Sequence, residues 1–461
     1  MTPAAIRADV LRIRSAAVDA VQPESLVLSR LTLADGGLLI AGGAWTAPVP
    51  LRGRVLVVGG GKAAAGVAAA VERVLAPAIS QGLPLAGLVS VPEGSGRRLG
   101  HVEVRETRPR AANLPTQAAV AATREMRGML AELTPGDLAI VVVTGGGSAL
   151  VEEPRDGVSL AGMIALAREL SAAGAGIRDL NTVRRSLSLV KAGGLARACP
   201  AGRLVTLVLS DIIGDPLDLI ASGPCMPVNA EPAAALGVLK RHACLDIDPA
   251  ITRLLEREAA ATTPAACGAS GGDWTTPLGC RVSHVLLATN ATAVEAAAAM
   301  ARRLGYDTAV RPPAAGEESA DDVGGRLARD AARLVDAAAA DGRPRAIVEG
   351  GEATVVLPRD HGRGGRNQQT VLATLAAWDG AWPPGLAVAS IGTDGEDGPT
   401  DAAGGVVDAG VAALVAGRRR GVKSALGRCD AHPLLAAAGG LIRTGPTGTN
   451  VADLRMILAR P

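Results

Sequence analysis

Aromatic residues are almost missing from this 461-residue chain: Phe is absent, Tyr occurs once and Trp four times. Base-stacking platforms of the kind that bind single-stranded nucleic acid are therefore excluded. The net charge of +2 gives no basic footprint for a phosphate backbone, so nucleic acid is ruled out as the main partner. Lysine is scarce, occurring only at Lys62, Lys191, Lys240 and Lys423, and two of the four sit in glycine-rich motifs. Six cysteines form no C-x-x-C pair, which speaks against a disulfide framework or a zinc site and for structural thiols in a reducing, cytoplasmic setting. No apolar run reaches the roughly 18 residues that a membrane span needs. The first segment, MTPAAIRADVLRIRSAAVDAV, has the helical spacing of Ile6, Val10, Ile13 and Val18 and lacks the apolar core of a signal peptide.

What is present is a large aliphatic fraction, with 58 glycines and 29 prolines as punctuation. The length exceeds what one core usually fills, so two domains are expected, with a boundary near residue 235. Short apolar runs alternate with amphipathic stretches, the pattern of parallel strands buried between helix layers. In the first half the strands are RVLVV from Arg54, LAGLVSV from Leu85, DLAIVVV from Asp137 and RLVTLVL from Arg203. A helical stretch and a Pro/Thr/Ser/Gly-rich stretch follow Pro224, and a second α/β series is expected to open with SHVLLATN at Ser283. That series continues with the helix ATAVEAAAAMARRLG, the strand DTAVRP, an acidic helix from Gly316 and the strand RAIVEGG. The expectation is two α/β domains, the first Rossmann-like, with the active site in a cleft between them.

Three of the first-half strands run into loops suited to anions. In VLVVGGGKAAAG, Gly59, Gly61 and Ala64 fit the G-x-G-x-x-A spacing of a dinucleotide turn, and Gly60 and Gly61 bring backbone N–H groups to a helix start. Lys62 inside that turn is foreign to hydride transfer and suits phosphate neutralisation. In TGGGSAL, Gly145, Gly146 and Gly147 with Ser148 supply a second anion loop, the alternative being a tight turn between core elements. SDIIGDPLDLIASGP brings Asp211, Asp215 and Ser222; carboxylates at a strand end can hold Mg²⁺ or accept a hydroxyl proton, though aspartates also cap turns. LNTVRRSLSLVKAGG, read as a helix, puts Asn181, Arg184, Ser188 and Lys191 on one polar face. In the second half, HGRGGRNQQ carries Gly365, Arg366 and Asn367 ahead of a helix, and GTDGEDGPTD repeats the acidic chemistry with Asp394 and Asp397. Arg366 has the donor fork that a transferring phosphoryl group calls for. No G-x-S-x-G surrounds Ser148 and no histidine has a triad partner at a recognisable spacing, so triad hydrolysis is excluded.

Together GGGKA, TGGGSAL, GIRDLNTVRRSLS, LSDIIGDPLDLIASGP, EGGEATV, GRGGRNQQ, IGTDGEDGPTDAAG and TGPTGTNVADL, in this order, resemble the MOFRL-type (class II) glycerate 2-kinases. The resemblance implies a MOFRL-type C-terminal α/β domain and ATP-dependent phosphorylation of D-glycerate at its 2-hydroxyl, with Mg²⁺. It also implies catalytic roles for Lys62 and Arg366, to which Asp211 is added as base or metal ligand beside Asp215. D-glycerate is the expected partner, with a homodimer as a possible assembly. Where the family commonly has a GHPVPD-like segment, this chain has ETRPRAANLP from Glu106 to Pro115, and Ser186, Ala192 and Cys225 also depart from its pattern. Hydroxypyruvate reduction with NAD(P)H is the alternative, but no acidic residue for a ribose hydroxyl lies about 20 residues after the turn, and Glu93 comes late.

Overall fold

The structure, a computed structural model, describes residues 3–34, 36–110, 113–261, 273–314, 316, 318–416 and 419–461. Ala111 and Ala112 of the divergent segment, Glu317 of the expected acidic helix, Cys267, and most of the Pro/Thr/Ser/Gly-rich stretch lie outside the described residues.

Two compact units are present: Pro23–Ser210 with Gly214–Leu287, and Met1–Gln22 with Asp211–Ile213 and Ala288–Pro461. The first is built on a seven-stranded sheet in the order Val102–Arg108, Leu85–Pro92, Val55–Gly60, Leu138–Val143, Arg203–Leu209, Arg281–Ala288, Trp274–Thr275. Its first five strands are parallel. Numbered by sequence these run 3-2-1-4-5, the Rossmann order, with the reversal between Val55–Gly60 and Leu138–Val143. Both strands at the reversal are buried throughout, as expected of Val- and Ile-rich strands covered on two faces. The charged strand Val102–Arg108 escapes a hydropathy reading because it is an edge strand with a half-exposed middle.

The second unit holds a six-stranded sheet in the order Asp307–Arg311, Arg345–Gly351, Asp453–Ala459, Leu386–Gly392, Gly404–Val407, Leu441–Ile442. It is mixed rather than parallel: Asp453–Ala459 runs antiparallel to both neighbours. That insertion sets Asp453 abreast of Gly351 on one side and Gly392 on the other.

The division differs from a single boundary near residue 235 in two places. The strand Arg281–Ala288, expected to open the second series, joins the first sheet, where Arg281 N donates to Gly202 O and Ala44 N to Ser283 Oγ. Apolar alternation identifies a strand but not the sheet it completes. The N-terminal helix Pro3–Ala20 packs on Asn290–Arg303 in the second unit, and Asp9 there accepts from Tyr306 Oη (2.8 Å) and Arg460 (2.9 Å). No helix among the described residues is long and apolar enough to cross a membrane. Cys199, Cys225, Cys244 and Cys280 are buried free thiols.

Candidate active site

In the first unit the GGGKA and TGGGSAL loops leave the two strands that flank the reversal of strand order, the place where open α/β sheets bind ligands. The first loop is closed by protein. Gly61 N donates to Ser90 O (3.1 Å), Lys62 N to Gly145 O (2.9 Å), Ala63 N to Thr144 Oγ1 (3.2 Å) and Ala64 N to Gly61 O (3.2 Å). Its glycines serve close approach: a Cβ on Gly61, at φ +138°, would fall 2.0 Å from Thr144 Oγ1. The expected backbone cradle at Gly60 and Gly61 is therefore occupied from within, and the Lys62 side chain is what this turn presents.

The second loop is open. The N–H groups of Gly145 and Gly146 make no hydrogen bond among the described residues, and Gly146 is left-handed at φ +77°. Successive unoccupied N–H groups of this kind form an anion nest. A Cβ on Gly146 would lie 3.1 Å from Arg108 Nη2 and 3.7 Å from Lys62 Cγ, so two cationic side chains flank this glycine. Gly147 approaches Gly60 O and Ala221, where a Cβ would stand 3.1 Å from each.

Ser148, Ser222 and Asn181 form a chain: Ser148 and Ser222 share a 3.1 Å hydrogen bond, Ser222 Oγ donates to Asn181 Oδ1 (2.8 Å), and Asn181 Nδ2 donates to Leu219 O (3.3 Å). Ala221, Ser222 and Gly223 are all left-handed, an arrangement that non-glycine residues keep only where surroundings enforce it. The expected single polar helix face is not formed. The helix Ile177–Leu187 ends before Ser188, and Lys191 comes from a following turn. Lys191 is fully enclosed; it donates to Ser148 O (2.9 Å) and Val151 O (3.2 Å) and pairs with Glu152 at 3.3 Å. Burial pulls its pKa below the ordinary lysine value, against the opposing pull of Glu152. Lys191 thus braces the Ser148 loop from behind. Arg184 is half-buried within the field of the same Glu152, and burial lowers its pKa. The Asp215 carboxylate, on a left-handed residue, makes no hydrogen bond or ion pair among the described residues.

In the second unit Arg366 opens the helix Arg366–Ala377 behind the N-cap Gly365. Its Nε and Nη2 grip the buried Asp453 at 2.7 and 3.0 Å, and Nη1 reaches Glu352 at 2.5 Å. Burial opposes its charge, yet Asp453, then Glu352, and finally Asp394 hold the guanidinium pKa well above the ordinary value. The acidic loop is divided in its work. Asp397 receives the N–H groups of Asn367 (3.0 Å) and Gln368 (2.8 Å), so it caps the helix, and burial pushes its pKa up to about 6. Gly365 is required there, since a Cβ would sit 2.3 Å from Asp397 Cγ. Asn367 is tied to Asp453 (3.0 Å) and Ser390 (2.5 Å) and is buried. Asp394 is half-buried, accepts from Glu396 N (2.9 Å) and lies in the field of Arg366. Asp211 belongs to this unit, its Oδ2 accepting from Asn450 Nδ2 at 3.1 Å.

Arg108, Glu152, Asn450 and Asp453 escaped the sequence reading. The available signals were a lone Asp ahead of the apolar run LRMILA and an Arg closing the charged run VEVRETR. A cavity of about 650 Å³ between Trp378, Trp382, Val422 and Lys423 shares no residue with these loops. Among the described residues no three His, Cys, Asp or Glu side chains gather as a metal-binding group. Mg²⁺ needs only one or two carboxylates when substrate phosphates and water complete its shell, so a single carboxylate such as that of Asp215 suits that ion.

Residues 9–256 match the family described as a domain of unknown function (DUF4147), and residues 345–453 match the MOFRL family. D-glycerate 2-kinase of Thermotoga maritima is 32% identical, with 87% of this chain and 89% of that protein covered. A putative hydroxypyruvate reductase of Agrobacterium vitis is 33% identical over 97% of this chain and 93% of its own length. The crystal structure of glycerate kinase from Thermotoga maritima superposes with a TM-score of 0.75 at 29% identity, covering 99% of both chains. With both family matches in order and relatives aligned over nearly the whole length, the chain belongs to the MOFRL-type glycerate 2-kinase family.

Proposed function

We propose that this protein transfers the γ-phosphoryl group of ATP to the 2-hydroxyl of D-glycerate, giving 2-phosphoglycerate and ADP. The observation that carries the reading is the Gly145–Gly146 nest, open at two N–H groups and flanked by Lys62 and Arg108, at the point where the strand order reverses. It offers positive charge to an anion through side chains and amides together. The names of the relatives supply the acceptor.

In this mechanism the hydroxyl oxygen of D-glycerate attacks the γ-phosphorus while the bond to the bridging oxygen of ADP breaks. Asp211, oriented by Asn450, takes the hydroxyl proton. Lys62 and Arg366 bear on the oxygens of the migrating phosphoryl group, and Asp453 and Glu352 keep Arg366 charged and aimed. Asp211 and Asp215 would hold Mg²⁺, which would neutralise phosphate charge when bound. Ser148 and Ser222 position substrate oxygens, while Asn181, Lys191 and Asp397 brace the loops that carry the chemistry.

The reductase reading is opposed by the same geometry. A dinucleotide turn directs backbone N–H groups at a pyrophosphate, whereas those of residues 61–64 are all taken by protein acceptors. The test is product identity by phosphorus NMR with D-glycerate and MgATP, beside an NADPH assay with hydroxypyruvate. The reading expects 2-phosphoglycerate equal to ADP and no NADPH oxidation; NADPH oxidation without ADP overturns it.

A further inference from the structure

Arg108 closes the edge strand Val102–Arg108, and its side chain reaches Gly146 on the loop after Leu138–Val143, although Leu85–Pro92 and Val55–Gly60 lie between in the sheet. A surface arginine does not take this course. Arg108 is 4% exposed, with Nη2 within 3.1 Å of the point where a Gly146 Cβ would stand. Its position is fixed from the backbone, where Glu93 N donates to Arg108 O at 2.9 Å. The N–H groups of Gly145 and Gly146 beside it make no hydrogen bond among the described residues and form an anion nest. The Lys62 side chain approaches the same Gly146 Cβ point, its Cγ at 3.7 Å and its Cε at 3.8 Å.

Two cations of different chemistry at one glycine suggest a division of labour. An ammonium on a flexible stem is a point charge able to follow a phosphoryl group as it moves. A guanidinium is planar, and its paired donors match the two oxygens of a carboxylate. A hydroxy acid that also receives a phosphoryl group needs both, because its carboxylate must be neutralised by something other than the cation that serves transfer.

We propose that Arg108 binds the carboxylate of the hydroxy-acid substrate and so selects acids over uncharged polyols, rather than taking part in nucleotide binding. The proposal rests on the kinase reading for its acceptor, so its test includes a binding arm that is independent of turnover.

Full-length wild type, Arg108→Gln and Arg108→Lys are titrated with D-glycerate and with ADP by calorimetry, then assayed with D-glycerate and glycerol as acceptors. The expected result for Arg108→Gln is a loss of D-glycerate affinity, and a rise of its KM, by roughly 10- to 100-fold, the usual effect of losing a charge-assisted pair. ADP affinity and the KM for ATP stay within about threefold, and the preference for D-glycerate over glycerol falls by the same factor as the affinity. Arg108→Lys, which keeps the charge without the fork, is intermediate; it decides the matter alone if Arg108→Gln does not fold. Weakened ADP binding with unchanged D-glycerate binding, an unchanged acid-to-polyol preference, or a wild type that does not bind D-glycerate each overturns the proposal. A wild type that binds D-glycerate through Arg108 yet releases no ADP leaves Arg108 in place and defeats the kinase reading instead.

Discussion

Replacing Asp453 by Asn tests how Arg366 is held. Asp453 is buried and accepts two bonds from Arg366, at 2.7 and 3.0 Å, while Asn367 Nδ2 donates to the same Oδ1 at 3.0 Å. The substitution keeps the shape but removes the charge and turns one amide NH₂ toward the guanidinium. Breaking a fully buried pair costs about 3–5 kcal/mol. Here the Arg366 side chain is 34% exposed and retains Glu352, itself 42% exposed, so the loss is smaller, on the order of 2–3 kcal/mol. Urea unfolding of wild type, Asp453→Asn, Arg366→Gln and the double variant isolates the coupling. In the kinase assay a mis-aimed Arg366 should lower kcat by roughly a hundredfold with little change in the KM for ATP. A coupling energy below about 0.5 kcal/mol, the scatter expected of independent sites, would refute the reasoning.

Other outcomes follow from the same geometry. Lys191→Met leaves Glu152 buried without its cation and the Ser148 and Val151 carbonyls without their donor, so unfolding free energy should fall by about 3–5 kcal/mol in a denaturant titration. Gly61→Ala places its Cβ 2.0 Å from Thr144 Oγ1 and 2.6 Å from Thr144 O at φ +138°, a clash with backbone that no rotamer relieves; soluble, cooperatively melting protein should not be obtained. Asp397, raised to about 6 by burial, holds its proton to higher pH when folded than the ordinary carboxyl near 4. The stability it lends is complete below about pH 4 and disappears as pH rises toward 6, so the wild-type Tm should fall relative to Asp397→Asn across that window. A constant Tm difference between the two proteins would count against the buried, titrating cap.

The strands that carry the glycine loops were legible because Val- and Ile-rich runs ending in Gly clusters have few other readings; Val55–Gly60, Leu138–Val143 and Arg203–Leu209 all formed. The loops were legible as a set, but the state of each N–H group was not. Thr144 Oγ1 takes the Ala63 amide only because two strands adjacent in the sheet bring their loops together, a consequence of register rather than of local sequence. Asp397 read as a ligand for the same reason: a carboxylate in a glycine loop and a carboxylate capping a helix 30 positions earlier in sequence look alike until the loop is folded. Asp453 and Arg108 passed as ordinary strand-end charges, since the partner of each lies at least 38 residues away. Lys191 stood out by its rarity; its enclosure, its bonds to the Ser148 and Val151 carbonyls and its pairing with Glu152 come from turns that only the fold brings together.

The central claim is that Lys62 and Arg366 act on one migrating phosphoryl group, and single-turnover transfer from bound ATP to D-glycerate measures this directly. The account predicts that Lys62→Ala and Arg366→Gln each slow the transfer step by on the order of a hundredfold or more, and that the double variant is slowed by less than the product of the two effects. Transfer at the wild-type rate in either variant, with only ATP affinity reduced, would contradict it.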